Sequence, residues 1–465
     1  MFSKIKQFIG KVVSKLIYRN DIQKELNIDI GISDDMQRAI ELWSLLYEDK
    51  SPWKNEEVQT LNLPSAISSE IARLVTVEFE SEVIGNEYLN KQYQTAIKDI
   101  RRYVEYACAK GGLIFKPYVN GDCIEVDFVQ ADKFLPTAYN SRGEITGVVF
   151  IEFNKVGNKI YTRLEHHNLT DEGYYINNLV YEKDSNSSEQ SLGRRVPITM
   201  VDDWADLEES LLIKNIDKPL FSYFKIPIAN TIDTTSPLGV SIYSRVIDLI
   251  KEADKQYSRI LWEFEGSELA IDVDTSAFKV NTKGQLEIPN GRERLYRTLN
   301  LSEENKWNVF SPEIRDTSLF NGLNNILKKI EFNCGLAYGT LSDLQETDKT
   351  ATEIKASKQR SYSTVKDIQN NLENALIDLV SVMDIVSKIY KLSNNTSYDM
   401  SFNFDDSLIL DKDLELASML GDVSAGILRP EIYLAKKYGV SEEEALKMMP
   451  TYDDFTKSPY EGTEE

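Results

Sequence analysis

The chain has 465 residues and a formal net charge of −22, from 75 acidic and 53 basic side chains. A protein of this length folds as several domains or subdomains, and a hydrophobic content of 42% is enough to bury their cores. This composition excludes bulk disorder, and the negative balance argues against a sequence-specific nucleic-acid binder, because such a protein needs a basic surface against the phosphates.

The first residues form a basic amphipathic pattern that predicts an N-terminal arm over 1–29. From Met1 to Arg19, lysines and an arginine alternate with apolar side chains, and no uncharged apolar core of a signal peptide is present. We expect the arm to dock its apolar stripe on another protein surface rather than on a membrane. No other stretch offers the roughly 18 apolar residues that a transmembrane helix needs, so no membrane span is predicted.

A mixed α/β region is predicted over 30–236. Apolar residues recur at helical spacing from about Asp34 to Tyr106, which predicts two or three helices. From Gly111 the period changes to two, and Asn120-Gly121 separates two alternating runs, as in a hairpin with a tight turn. The alternating runs predict an antiparallel sheet of five or six strands. These strands include 113–119, 123–128, 148–153, 159–165 and 174–182.

Two long helices on either side of a β-like insert are predicted next. Ser236-Pro237 is a favourable helix start, and the apolar series that follows predicts a helix over 237–264. This helix has apolar strips on more than one side, so it must pack against several neighbours. Asp254 is the only charged member of its main series. The insert covers 265–315, and the second helix lies within 316–339, from about Thr317 to Cys334.

A polar loop, a very long helix and a helical tail complete the chain. The loop spans 340–350, and the helix spans 351–392, with apolar residues in heptad-like register in its later part. Because its first turns are polar nearly all round, we expect this helix to bend. A region of short helices is predicted over 393–450, and the acidic, turn-rich tail 451–465 is predicted to be flexible.

No catalytic residue, metal site or cofactor is predicted. The adjacent aspartate pairs lie in turn-like contexts, and the three cysteines have no metal-ligand spacing. His166 and His167 lie on a predicted strand, where neighbouring side chains face opposite sides. We therefore expect one packed and one exposed imidazole and no shared metal.

The order of these elements, together with several specific stretches, resembles the portal proteins of tailed bacteriophages. Thr235-Ser236-Pro237-Leu238-Gly239-Val240 running into Asp254 and Trp262-Glu263 looks like the entry into the family's first stem helix. Gly335-Leu336-Ala337-Tyr338-Gly339 followed by Thr350-Ala351-Thr352-Glu353 is similar to the passage from stem to kinked helix. Phe404-Asp405-Asp406-Ser407 and the stretch from Tyr438 to Ala445 resemble the crown of portals from phages of Gram-positive hosts.

The resemblance implies an α+β portal-type fold and a ring of twelve subunits at one vertex of the capsid. Double-stranded DNA would be packaged through the ring by the terminase, without sequence specificity, and ejected later. The other implied partners are the head-completion or adaptor proteins and the major capsid and scaffolding proteins. The implied location is the virion, after assembly in the host cytoplasm. The implied parts are a wing (30–236), stem helices (237–264 and 316–339), a clip (265–315), a tunnel loop (340–350), a kinked helix (351–392) and a crown (393–450).

The resemblance also implies roles for three groups of residues. A head-to-tail ring buries different faces of one helix on two neighbours, so the series in the first stem helix is predicted as the subunit interface, with Asp254 at a subunit or channel boundary. Its members are Val240, Tyr243, Ile247, Ile250, Asp254, Tyr257 and Leu261. The predicted DNA-channel residues are Leu344, Gln345, Glu346, Asp348, Lys349, Lys355 and Lys358, in which acidic and basic groups nearly cancel.

Arg292, Arg294 and Arg297 form a basic cluster in the predicted clip. They suit docking to acidic surfaces of the terminase or of a head-completion protein, or contact with DNA at the channel mouth. An ordinary solvated strand, with charges paired to Glu287 and Glu293, is an equally open interpretation. For the whole chain, the alternatives are another head-to-tail structural protein, such as an adaptor or minor capsid component, and a hydrolase whose carboxylates converge only in three dimensions.

Overall fold

The computed structural model describes residues 19–77, 79–186, 191–267, 270–274, 296–299, 307–310, 313–343, 351–393, 397–404 and 412–449. The chain divides into a large compact unit, Met1–Asn403, and a small one, Phe404–Glu465. Among the described helices, none combines the length and hydropathy needed to cross a lipid bilayer.

The helices of the large unit surround its sheets, and those of the small unit follow one another with short connections. In chain order they are α1 (19–26), α2 (Asp34–Tyr47), α3 (Leu63–Val75), α4 (Glu87–Ile97), α5 (Ile100–Lys110), α6 (Ile247–Gly266), α7 (Asp316–Cys334), α8 (Ala351–Ile389), α9 (Lys412–Ser424), α10 (Pro430–Tyr438) and α11 (Glu442–Met448).

The described strands all belong to the large unit. In chain order they are β1 (Glu80–Ile84), β2 (Gly112–Asn120), β3 (Cys123–Gln130), β4 (Phe134–Tyr139), β5 (Ile145–Val156), β6 (Lys159–Thr170), β7 (Gly173–Asp184), β8 (Arg194–Val196), β9 (Ser210–Ile213), β10 (Ser222–Lys225), β11 (Ala270–Asp274), β12 (Tyr296–Leu299), β13 (Trp307–Phe310) and β14 (Asp399–Asn403).

The predicted hairpin is present, but it is not part of the main sheet. β2 and β3 pair in antiparallel register around Gly121, whose φ of +60° suits the tight turn. After β3, a single 3₁₀ turn at Ala131–Lys133 redirects the chain into β4, and β2 instead pairs on its other side with β10. The expectation of one sheet was therefore wrong: β10-β2-β3 form one sheet, and β4-β5-β6-β7-β8 form another, with β9 also paired to β7.

The C-terminal part of α8 is the packing centre of the large unit. Leu372 and Leu379 are fully buried, and polar side chains tie the helix to its neighbours. Asn371 Nδ2 donates to the Lys225 carbonyl at 3.0 Å, and Ser222 Oγ donates to the Ala375 carbonyl at 2.7 Å. The predicted long helix is confirmed, with its end at Ile389 rather than at 392. The predicted bend is not tested.

The first stem helix begins later than the sequence predicts. The stretch after Pro237 is irregular, a 3₁₀ turn follows at Ser244–Val246, and α6 starts only at Ile247. The cause is a close approach between Gly239 and Gly111: a Cβ on Gly239 would lie 2.1 Å from the Gly111 carbonyl oxygen. This contact holds the backbone against the end of α5, where Val240 and Tyr243 are buried without helical geometry.

The β-like insert contains strands as predicted, whereas the predicted start of the tail needs correction. The insert contains a three-stranded sheet in which β11 pairs parallel to β12 and antiparallel to β13. In the tail, β14 pairs with β1, so 399–403 lies in the large unit and not in the crown as predicted. The short helices α9 to α11 are confirmed. Ser441 and Glu444 form a capping box at the start of α11.

The predicted contrast between the two histidines was wrong, because both faces of the main sheet are covered. His166 and His167 are only 7% and 4% exposed. His167 bonds Glu165 Oε1 through Nε2 at 2.7 Å and the Tyr174 hydroxyl through Nδ1 at 2.8 Å. Burial, reinforced by His167, lowers the pKa of His166 from 6.5 to about 4.

We expect this buried imidazole to make the fold acid-sensitive. Between pH 6.5 and about 4 the unfolded chain binds a proton at His166 that the folded chain does not, so the free energy of unfolding falls as the pH is lowered. His166→Gln should reduce this slope by up to about 1.4 kcal/mol per pH unit. Urea unfolding of wild type and variant at several pH values measures the difference, and equal slopes would contradict it.

Candidate functional site

The two helices that flank the β insert form an antiparallel pair. Gln256 of α6 reaches the Leu319 carbonyl of α7 at 3.3 Å. Nearer the insert, Arg315 donates two hydrogen bonds to Glu263, Nε to Oε1 at 3.0 Å and Nη2 to Oε2 at 2.8 Å. Arg315 lowers the pKa of Glu263, so the carboxylate stays ionised. The ion pair therefore joins the two helices where they enter the β insert.

Asp254 is buried within the subunit, contrary to the predicted boundary position. It is 1% exposed, and both carboxylate oxygens accept hydrogen bonds from the 53–61 segment. Trp53 Nε1 donates to Oδ2 at 2.8 Å, and the Leu61 backbone N–H donates to Oδ1 at 2.9 Å. Burial raises the pKa of Asp254, while these donors oppose the shift. The side chain is thus an anchor for α6 inside its own subunit.

Most of the predicted interface series is also internal. Val240, Tyr243 and Ile250 are at most 1% exposed, because other parts of the same chain cover them. The interface prediction was therefore wrong for these residues and for Asp254. Ile247 and Tyr257 are half-buried and Leu261 is exposed, so these three remain available to a neighbour.

An exposed aromatic strip lies beside Leu261, near the insert end of the helix pair. Trp262 is 67% exposed, and Phe264 and Phe320 are 44% and 49% exposed. The Phe264 and Phe320 rings lie 6.3 Å apart, so this strip bridges α6 and α7. Trp262 lies on another side of α6, because residues two apart on a helix do not share a face. The exposed Phe264 and Phe320 pair is the kind of apolar surface that is typical of a protein contact. Trp262 and Phe320 were not among the predicted contact residues, because both lie outside the regular apolar series of their helices.

The end of α7 packs closely against the N-terminal half of α8. Gly335 ends α7 with a φ of +72°, and a Cβ there would lie 2.3 Å from Thr364 Oγ1 of α8. Arg360 of α8 places its guanidinium 4.1 Å from the Phe332 ring centroid and 5.9 Å from that of Tyr338. These contacts fix the end of one helix against the beginning of the next.

Glu331 organises the turn that precedes the predicted loop. Its side chain is completely buried, and Oε1 accepts hydrogen bonds from the backbone N–H groups of Leu341 at 2.6 Å, Ser342 at 2.8 Å and Gly339 at 3.1 Å. Ser342 Oγ donates to Oε2 at 2.8 Å. Asn324 makes two further bonds to the backbone of Asp343. The base of the loop is therefore held by α7.

Glu331 was not among the predicted site residues, although the sequence contains a signal for it. It falls on the same helical face as Leu323, Ile330 and Cys334, all of which are buried. A carboxylate inside an apolar stripe requires donors from another segment, because an unpaired buried charge is costly. The polar stretch after Gly335 supplies those donors.

Several of the other predicted site residues lie outside the described part of the chain. This applies to Arg292, Arg294, Leu344, Gln345, Glu346, Asp348 and Lys349, and to Glu287 and Glu293 of the alternative. Arg297 lies in β12, in register with Asp272 of β11. Lys355 and Lys358 lie in the first turns of α8, where Lys358 is exposed.

The described residues offer little reactive chemistry. Burial raises the pKa of the Cys334 thiol to about 12 and raises that of Cys108 as well, so both are inert as nucleophiles. Within the described ranges, no group of histidine, cysteine and carboxylate side chains is arranged to hold a metal ion. The geometry instead combines a helix pair, an exposed aromatic strip and an anchored loop base.

A family model described as phage portal protein, SPP1 Gp6-like, matches residues 69–450. The matched span contains both helices of the pair, the β insert, the anchored passage into α8 and the helices of the small unit. No individual curated protein matches the chain.

Substitution at Asp254 should destabilise the subunit itself. Asp254→Asn directs an amide group at a buried N–H donor, since both carboxylate oxygens are already acceptors. We expect a loss of about 1–3 kcal/mol in the free energy of unfolding. Denaturant unfolding measures it, with Glu265→Gln, an exposed residue of the same helix, as the control. A loss no larger than in the control would contradict the anchoring role.

Substitution at Glu331 should loosen the loop base. Glu331→Gln keeps the size of the side chain but replaces one acceptor oxygen by a donor, so at least one bond to Leu341 or Ser342 is lost. We expect faster hydrogen exchange at the amides of Gly339, Leu341 and Ser342, with α8 unaffected beyond Leu372. Exchange rates unchanged from wild type, or matching those of exposed-site control Glu313→Gln, would refute this role.

Proposed function

The chain belongs to the phage portal protein family, and we propose that it forms a ring of twelve subunits around a channel for double-stranded DNA. As a portal protein it is a structural component of the virion, in a family of homo-oligomers with capsid and terminase partners. The observation that carries the proposal is the family match over 69–450. In the proposed cycle, rings assemble in the host cytoplasm, occupy one capsid vertex, admit DNA driven by the terminase large subunit and later release it toward the tail.

The proposed subunit contact uses the surface that the wing leaves uncovered. Ile247, Tyr257 and Leu261 would take part in it. So would the aromatic strip of Phe264 and Phe320 and, on another side of α6, Trp262, so that different faces of the helix pair meet the two neighbouring subunits. In a head-to-tail ring the two contacting surfaces differ, and the contact repeats until the ring closes. Burial of exposed aromatic area on association supplies the driving force.

The proposed channel constriction is the loop that follows the Glu331 anchor. Leu344, Gln345, Glu346, Asp348 and Lys349 would approach the axis, with Lys355 and Lys358 behind them on α8. Because acidic and basic groups nearly cancel, this rim neither grips nor strongly repels a duplex. A firmly held base supports the proposal, because it allows the loop to change conformation while the packed helices stay fixed.

The proposed docking surface for the terminase and for head-completion proteins is the β insert. Arg292, Arg294 and Arg297 are basic in an acidic chain, so they suit acidic protein surfaces or the DNA backbone at the channel mouth. The proposed role is structural throughout, with no catalytic residue and no cofactor.

Ring assembly should depend on Trp262. Twelve copies of the 53.2 kDa chain have a mass of about 640 kDa, and negative-stain images should show a ring with a central opening. Trp262→Ser should reduce the ring fraction while leaving the subunit folded, because this side chain is 67% exposed. Trp262→Phe, which keeps an aromatic ring, is the matched control. Light scattering gives the mass, and rings of Trp262→Ser with wild-type yield would contradict the proposed contact.

Locking the loop should stop DNA transit without stopping assembly. Cysteines at Gln345 and Lys349, in a chain whose exposed Cys123 is replaced by serine, would cross-link neighbouring loops upon oxidation. Rings should form, DNA packaging should fail, and a reductant should restore it, whereas each single-cysteine ring should package normally. Full packaging with the loops cross-linked would falsify a role for this loop at the constriction.

A further inference from the structure

The large unit contains a cavity of about 910 Å³ that the proposed channel does not use. It lies between the hairpin of β2 and β3 and one face of the main sheet. The segment 203–213 and the last residues of α8, Val386 to Tyr390, form its other walls. The cavity therefore lies at the C-terminal end of α8, whereas the loop base precedes the N-terminal end of this helix.

The floor of the cavity is polar but internally satisfied. The side chain of Glu165 is only 13% exposed, and it forms ion pairs with Lys116 at 2.9 Å and Arg163 at 3.1 Å and a hydrogen bond with His167 at 2.7 Å. Burial opposes ionisation of Glu165, but Lys116, His167 and Arg163 together hold its pKa well below the usual range. Because these charges compensate one another, the floor does not call for a charged ligand.

The rim is different, because it is acidic and apolar at once. Asp206 and Glu208 form no ion pair with any described residue, and Asp127 adds a carboxylate that is 54% exposed. Large apolar side chains stand exposed among these charges. They are Leu207 (41% exposed), Leu211 (37%), Ile389 (39%) and Tyr390 (58%). Such a surface fits a cationic amphipathic segment.

The chain carries a segment of this chemistry at its N-terminus, in residues 1–18. It contains no acidic side chain, and its four lysines are Lys4, Lys6, Lys11 and Lys15. Large apolar residues are interspersed with the lysines: Phe2, Ile5, Phe8, Ile9, Val12, Val13, Leu16 and Ile17. The segment thus complements the rim in both charge and hydrophobicity.

The start of the described chain gives this segment a route to the cavity. Asp21 of α1 accepts a hydrogen bond from the Leu192 backbone, at the edge of the main sheet. From Leu192 the chain continues through β8 to Trp204, which lines the cavity on the other face. Eighteen residues reach up to about 60 Å when extended, enough to turn around this edge. The cavity beside Arg19 is much smaller, at about 60 Å³.

We propose that residues 1–18 bind in the cavity of their own chain. The apolar side chains pack on Leu207, Leu211 and the end of α8, and the lysines pair with Asp206 and Glu208. This replaces the expectation that the arm docks on another protein. It is independent of ring formation, because every contact lies within one subunit.

Disulfide trapping in the full-length chain tests the proposal. With Cys123 replaced by serine, the pair Phe8→Cys and Leu207→Cys is compared with Phe8→Cys and Phe153→Cys. Phe153 is 58% exposed on the opposite face of the same sheet. Mass spectrometry of the digested protein should show an intrachain 8–207 disulfide about tenfold more abundant than the 8–153 disulfide. Replacing the four lysines by glutamine should lower the 8–207 yield.

Two results would overturn the assignment. Equal or greater trapping at residue 153 would place the segment on the other face, and a disulfide between two chains, visible as a dimer, would assign the cavity to a second copy. Tyr390→Cys replaces Leu207→Cys if that variant does not fold, since Tyr390 is 58% exposed on a different wall. Failure of both 207 and 390 to cross-link with residue 8 also overturns the proposal, whatever the state of the ring.

Discussion

Buried carboxylates that accept backbone N–H groups hold this subunit together where helices meet irregular chain. An irregular segment packed against a helix has donors that no secondary structure satisfies, and leaving them unpaired costs more than the bond itself contributes. Asp254 satisfies the segment around Leu61, and Glu331 satisfies the turn from Gly339 to Ser342. Helix α6 is thereby joined to the 53–61 segment, and α7 to the loop base.

This constraint also explains why the number of apolar sides on a helix is a poor guide to its contacts with other subunits. The first stem helix has apolar residues around much of its circumference, which suggests contacts with neighbouring subunits. Other parts of the same chain cover Tyr243, Ile250 and Asp254, however, and leave fewer side chains exposed, among them Trp262 and Phe320. A contact between subunits that uses these exposed side chains removes none from the subunit core.

The elements that the sequence predicts well are those whose partners are close along the chain. The alternating runs from Ile145 to Asp184 pair with their immediate neighbours, and the helix ending at Gly335 has a conventional left-handed cap. The failures are tertiary in origin. The segment around Gly239 was predicted to be helical, but it is irregular where Gly239 packs against Gly111. Strand β14 was predicted to belong to the crown, but it pairs with β1, which lies more than 300 residues earlier in the sequence. Glu331 acquires its role only when the following turn folds back over it.

Helix α8 gives the fold a mechanical property that follows from its length. Its 39 residues rise about 58 Å along one helix, from Ala351 to the wall of the distant cavity. The residues that pack near Leu372 and those that contact the two ends of α8 are thereby joined by one continuous series of backbone hydrogen bonds. A displacement at one end of the helix is carried toward the other end without any change in those bonds.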